Sequence, residues 1–198
     1  MINETVRFLT DEVNKFLSLK LGATTDPRLV SGNVAKAFDT DAGGSTNALS
    51  NKAIISLVNV EEDRLAKQQE PFTRTETGIT YKSPPVYLNL YVLFSINLKD
   101  YPESLKWLAY IIQFFQYQNV FTPITNPGLD PRIQKLIADM YTLNFEQINH
   151  MWSTLGGKYL PSVLFKIRQV TIDEDVPFAI SGFIKEIDID NRTKLPVS

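Results

Sequence analysis

The stretch SPPVYLNLYVLFSINLKDYPESLKWL, residues 83–108, restricts what this chain can fold into more than any other. Val86, Leu88, Leu90, Val92, Phe94, Ile96 and Leu98 take every second position, and Tyr87, Tyr91 and Leu93 make the opposite face partly apolar. A strand apolar on both faces belongs in the middle of a sheet covered on both sides. A membrane-spanning helix needs about 20 apolar residues, but this run follows Pro84 and Pro85, contains Asn89 and Asn97 and ends at Lys99 and Asp100. Pro102 suits the first turn of a helix capped by Asp100 or Tyr101, and Leu105, Leu108, Ile111, Ile112 and Phe115 follow at helical spacing. The predicted centre of the fold is therefore a buried strand feeding a helix with one apolar face.

The rest of the chain supplies partners for that centre. Ile2, Val6, Leu9, Val13, Phe16 and Leu17 recur at spacings of three and four, predicting an amphipathic helix closed near Gly22. RLVSGNVAKAF, residues 28–38, predicts a first strand, and turn formers make residues 39–51 a loop. AIISLVNV, residues 53–60, is β-branched and predicts a strand that leads into a polar excursion over 61–83. NVFTPITNPGLDPR packs prolines and a glycine into an ordered, extended loop. IQKLIADMYTL fits either a helix or a strand. Strand is preferred, because Asn144 and Gln147 make a fresh capping box for a helix NFEQINHMWSTL that stops at Gly156 and Gly157. Pro161 opens the half-buried strand SVLFKIRQVTI, and after the acidic DED comes a last alternating piece, GFIKEIDID. The sum is an α+β fold in a single domain, a mixed β-sheet packed with about three helices. It covers residues 1–175, with an extended segment at 176–198.

Composition narrows the chemistry. With 198 residues and 43% hydrophobic content, the chain can bury a core without cross-links. It has no cysteine, hence no disulfide, thiolate nucleophile or Cys-based zinc site. A formal charge of -2, with both signs interspersed, provides no basic footprint for nucleic acid. The acidic N-terminal turns form no apolar export signal, so folding in a cytoplasm is expected.

No reactive constellation emerges. His150 is the only histidine, without a second His or Cys to share a metal or nucleophile. STLGGK at 153–158 ends like a phosphate-binding loop, but Trp152 stands where the first glycine belongs and Tyr159 where the hydroxyl residue belongs, so it reads as a helix stop. DTDAGG at 39–44 and DIDN at 188–191 begin like calcium loops and lack the closing glutamate. Glu61, Glu62 and Asp63, and Asp173, Glu174 and Asp175, cluster at strand ends and read as solvated rims. Phe114, Phe115, Tyr117 and Phe121 are mostly at helical spacing, the signature of core packing rather than a ligand box. No cofactor, metal or catalytic residue is expected. A domain of this kind works through its shape and surfaces.

Four motifs in order give that reading a direction: N-E-x-x-R-F-L from Asn3, P-P-V-Y-L-N-L-Y from Pro84, F-T-P-x-x-x-P-G-L-D from Phe121, and W-x-x-L-G-x-K-Y-L-P-S from Trp152. Together the chain resembles the tail-terminator or cap proteins of extracellular contractile injection systems, of the antifeeding-prophage and Photorhabdus-virulence-cassette type. The resemblance implies a non-enzymatic, phage tail-terminator-like ring of about six copies that ends the inner tube and anchors the last sheath layer. It implies inner-tube and sheath proteins as partners besides the chain itself, no nucleic acid and no membrane. It also implies synthesis in a bacterial cytoplasm followed by incorporation into a released particle. A closed ring needs a heterologous interface, and the candidates for it are Pro123, Pro127, Asp130 and Arg132 in the proline-rich loop, with Lys158 and Tyr159 in the turn before Pro161, a turn that by its Gly-Gly and Pro punctuation reads first as a structural helix-to-strand corner. The competing readings are a monomeric protein-binding adaptor using residues 39–51 and 61–83 as recognition loops, and, more remotely, an enzyme acting on phosphorylated or carboxylated ligands.

Overall fold

A computed structural model of the chain describes residues 1–38, 48–63, 72–75, 78–82, 86–156, 158–172 and 177–182. The Asp pairs at 39–44 and 188–191, the acidic run 173–175 and all of the last alternating piece after Gly182 lie outside the described residues. In chain order the elements are α1 (Ile2–Leu21), β1 (Leu29–Ser31), a 3-10 turn (Val34–Lys36), β2 (Lys52–Glu62), β3 (Phe72–Thr75), β4 (Gly78–Lys82), β5 (Val86–Asn97), α2 (Tyr101–Tyr117), β6 (Val120–Phe121), β7 (Leu136–Met140), α3 (Phe145–Thr154), β8 (Ser162–Ile172) and β9 (Pro177–Gly182). The fold is α+β with a mixed sheet, as the sequence pattern predicts.

Two compact units share these elements. The larger comprises residues 1–66 and 86–172, the smaller 67–85 and 173–198. The larger holds a six-stranded sheet in the order β1-β2-β5-β8-β7-β6. β1 runs parallel to β2, and every other pairing is antiparallel. The expected central strand is central: β5 lies between β2 and β8, and Leu88, Asn89, Leu90, Val92, Leu93, Phe94, Ser95 and Ile96 are all buried. The smaller unit contains an antiparallel sheet, β3-β4-β9. The stretch predicted as a polar excursion therefore starts as the end of β2 and goes on to supply two strands.

β5 sends alternate side chains into two cores. Leu88, Leu90, Val92, Phe94 and Ile96 join the larger one with α1 (Phe8, Leu9, Val13, Leu17), α2 (Ile111, Phe114, Phe115) and the loop residues Leu129 and Ile133. Its middle is aromatic, with Phe115 centred 4.2 Å from Phe165 and 5.4 Å from Phe94. Leu93 points the other way, to a smaller core with Ile54, Val34, Ala37, Trp152, Leu160 and Leu164. This second face is covered by α3 and the 3-10 turn.

Local chemistry explains most boundaries. α1 stops where Gly22 takes φ +89°, a conformation disfavoured for residues bearing a Cβ. Asp100 is the N-cap residue of α2, with a proline in the first turn. The box at the start of α3 is complete: Gln147 N–H donates to Asn144 Oδ1 at 2.8 Å, and Asn144 N–H to Gln147 Oε1 at 3.0 Å. Two predictions need correcting. The strand expected over 28–38 is three residues long, because the Asn33 side chain accepts from Ala35 N–H and turns the chain into a 3-10 helix. Leu105, expected on the buried face of α2, is 44% exposed; Ser104, Ile111, Phe114 and Phe115 form that face.

Candidate assembly interfaces

The proline-rich loop between β6 and β7 is tied down from within and from below. Asn126 N–H donates to the Thr122 carbonyl, and the Asn126 side chain, itself buried, accepts from Gln118 Nε2 at 2.8 Å and Thr125 Oγ1 at 2.9 Å. Leu129 and Ile133 plug into the larger core, and Phe121 stands edge-on to Phe8 of α1 at 5.5 Å. Asp130 accepts from the Arg132 backbone N–H at 2.9 Å and from its guanidinium at 3.0 and 2.7 Å. Those bonds hold the Asp130 carboxyl at about 2, well below the usual carboxylate range. Above this anchored base Ile124 is 93% exposed, an apolar tip beside Pro123.

Lys158 and Tyr159 sit elsewhere. α3 ends where Gly156 takes φ +102°, and the chain then turns into β8. Tyr159 packs edge-on against Trp152 with 5.5 Å between ring centres, and Lys158 Nζ lies 4.8 Å from the centre of the Phe38 ring. Trp152, Leu160 and Ala37 all belong to the smaller core. The six predicted interface residues thus divide: Pro123, Pro127, Asp130 and Arg132 on the α1/α2 face of the sheet, Lys158 and Tyr159 on the α3 face. The loop and the turn, two separate segments of the sequence, lie on opposite faces of the sheet.

The α3 face also carries surface the sequence did not flag. A cavity of about 200 Å³ is lined by Leu93, Met140, Tyr141, Met151, Trp152 and Tyr159 among others, and one of about 410 Å³ by Val58, Val60, Tyr91, Tyr141, Met151 and neighbours. Tyr141, Leu143, Met151 and Leu164 line both, so the two are parts of one trough beside α3. Phe145, in the first turn of α3, is 92% exposed. Along the trough Tyr91 donates to Glu61 Oε2 at 2.7 Å and Lys166 Nζ to the same oxygen at 3.2 Å, which lowers the Glu61 carboxyl. Burial, with the Glu61 bond adding to it, pushes the Tyr91 hydroxyl up. Among the described residues, three buried polar atoms on this face have no hydrogen-bond partner: Asn89 Oδ1, Ser95 Oγ and Trp152 Nε1.

The geometry of the described residues offers surfaces. His150 is exposed on α3. Among the described residues no group of three or more His, Asp or Glu could hold a metal ion, and no helix is long and apolar enough to cross a membrane. Phe114, Phe115 and Phe121 are core residues as predicted, while Tyr117 is 83% exposed.

The α+β fold is one found in terminators of contractile tail-like particles. The chain resembles the sheath/tube terminator of an extracellular contractile injection system, PVC, in its extended state, with TM-score 0.53 and 12% identity over 95% of this chain. It resembles the anti-feeding prophage tube-terminating cap with TM-score 0.55 and 12% identity over 90% of this chain. It spans 65% and 58% of those two chains. Comparison with curated protein sequences finds no match. The chain belongs to the Pvc16 N-terminal domain family, whose model matches residues 5–186.

Proposed function

We propose that this chain is a structural cap of a contractile, phage tail-like injection particle. Copies close into a ring of about six that ends the inner tube and anchors the distal sheath layer. The observation that carries the reading is a fold shared with two terminators over nearly the whole chain, beside membership of the Pvc16 N-terminal domain family. The partners are then further copies of the chain, the tube protein and the sheath protein, and the protein reaches the exterior as part of the particle. No catalytic step is assigned to it.

The placement of the candidate residues supports a ring. A head-to-tail interface joins two different patches of the same molecule. The rigid loop carrying Pro123, Ile124, Pro127, Asp130 and Arg132 lies on one face of the sheet, and the corner carrying Lys158 and Tyr159 on the other. The test is to let tube protein polymerise with and without the purified chain and to measure tube lengths by electron microscopy. Tubes that stop growing and carry an end-on ring support the cap; unchanged growth with no bound chain removes it. Arg132→Glu and Lys158→Glu should weaken binding to tube ends while leaving the melting temperature in place.

A further inference from the structure

β1 is the edge strand at one end of the six-stranded sheet, and an edge strand presents unpaired backbone groups to any chain that can add to it. Its inner side is accounted for: Ala53 N–H donates to the Arg28 carbonyl at 2.8 Å, and Gly32 N–H to the Ile55 carbonyl at 3.1 Å. In a parallel ladder alternate residues turn their N–H and C=O to opposite sides. Leu29 and Ser31, between the residues bonded to β2, therefore direct theirs away from the sheet. At Leu29 both groups are met by one side chain: its N–H donates to Asn14 Oδ1 at 2.9 Å, and its carbonyl accepts from Asn14 Nδ2 at 2.8 Å.

A carboxamide carries the same donor and acceptor as a peptide group. Asn14 on α1 thus supplies what a residue of an added strand would supply. It also lines an open cleft of about 670 Å³, together with Asp11, Lys15, Leu19, Pro27 and Arg28. The geometry points to Asn14 as an edge lock: its carboxamide stands in for a seventh strand and closes β1 to strand addition by a second copy of this chain. Any assembly then grows through other surfaces. The lock does not depend on the capping reading.

The test compares Asn14→Ala with the parent chain, so the parent's own oligomeric state is the baseline. Amide hydrogen exchange at Leu29 should be roughly tenfold faster in the variant, with Phe94 in β5 unchanged as the control for folding. Sedimentation over a range of concentrations should show additional self-association that Ser31→Lys, a charge placed on the edge, reverses. Leu29 exchange equal to the parent's, or no added association, overturns the lock. If Asn14→Ala does not fold, Asn14→Asp retains the acceptor for Leu29 N–H and loses only the donor to its carbonyl. Added association in that variant supports the lock, and its absence overturns it.

Discussion

On one face of the sheet, α1, α2 and the anchored loop enclose a core with a ring of aromatic contacts; on the other, α3 rests on a smaller core and contributes Trp152 as its only fully buried residue. The three unpartnered buried polar atoms of β5 and α3, the trough and the exposed Phe145 are all on the second face. Burial of apolar area is the main source of folding stability. The α1/α2 face therefore carries the fold, while the α3 face has surface to spare for contact. A domain that works by assembling can hold its shape with one side and leave the other under-packed.

The sharpest test of that division uses one strand and one chemical change. Leu90 and Leu93 are both essentially inaccessible on β5, but Leu90 faces the larger core and Leu93 the smaller. Leu→Ala in a core costs about 2–5 kcal/mol, less where the site can relax around the cavity. Urea unfolding should put Leu90→Ala near the top of that range, about 4 kcal/mol, and Leu93→Ala near the bottom, about 2 kcal/mol. Equal losses would mean that the two faces are packed alike.

Smaller effects sharpen the picture of α3. Its N-terminus depends on the reciprocal Asn144 and Gln147 bonds, so Asn144→Ala should cost about 1 kcal/mol and show first as lost helicity by circular dichroism. Trp152→Phe removes the unpartnered Nε1–H at the expense of some buried ring area. An unsatisfied buried donor costs about 1–3 kcal/mol, so the two effects offset and the net change in urea stability should stay under about 0.5 kcal/mol. A loss above about 1 kcal/mol would show that the indole N–H is bonded after all.

Signals that act over a few residues were legible in the sequence. The alternation of β5, the proline at the start of α2 and the Asn144 box each set local structure through neighbours within four positions, and each element forms where predicted. β7 was legible only indirectly, through the cap that follows it. What depends on register was hidden. Leu105 fits the apolar spacing of α2, yet it turns outward because Ser104 and Ile111 face the sheet. β3 and β4 were missed because charged and polar residues over 61–83 dilute the alternation. The split of the interface candidates between faces depends on which residues of β5 and β8 point which way, and the Asn14 bonds to Leu29 join residues 15 apart through tertiary packing. No spacing rule reports either.

The smallest expected effect concerns the loop on the well-packed side. Asp130 is held at about 2 against an ordinary value of 3.8 by its bonds from Arg132. A carboxyl lowered on folding contributes stability that is full above its unfolded value and is lost as pH falls from 3.8 through about 2. Stability should therefore decline through that acid window, and Asp130→Asn should flatten this part of the decline while leaving the rest. The group faces solvent on one side, so screening keeps the contribution small, and added salt should shrink it further. If loop order rests on burial of Leu129 and Ile133 rather than on this ion pair, Asp130→Asn at neutral pH will leave the Ile133 amide as protected as in the parent. Loss of that protection would mean that the loop is held by its charges, and that the α1/α2 face owes part of its solidity to an ion pair whose Arg132 side chain is largely exposed.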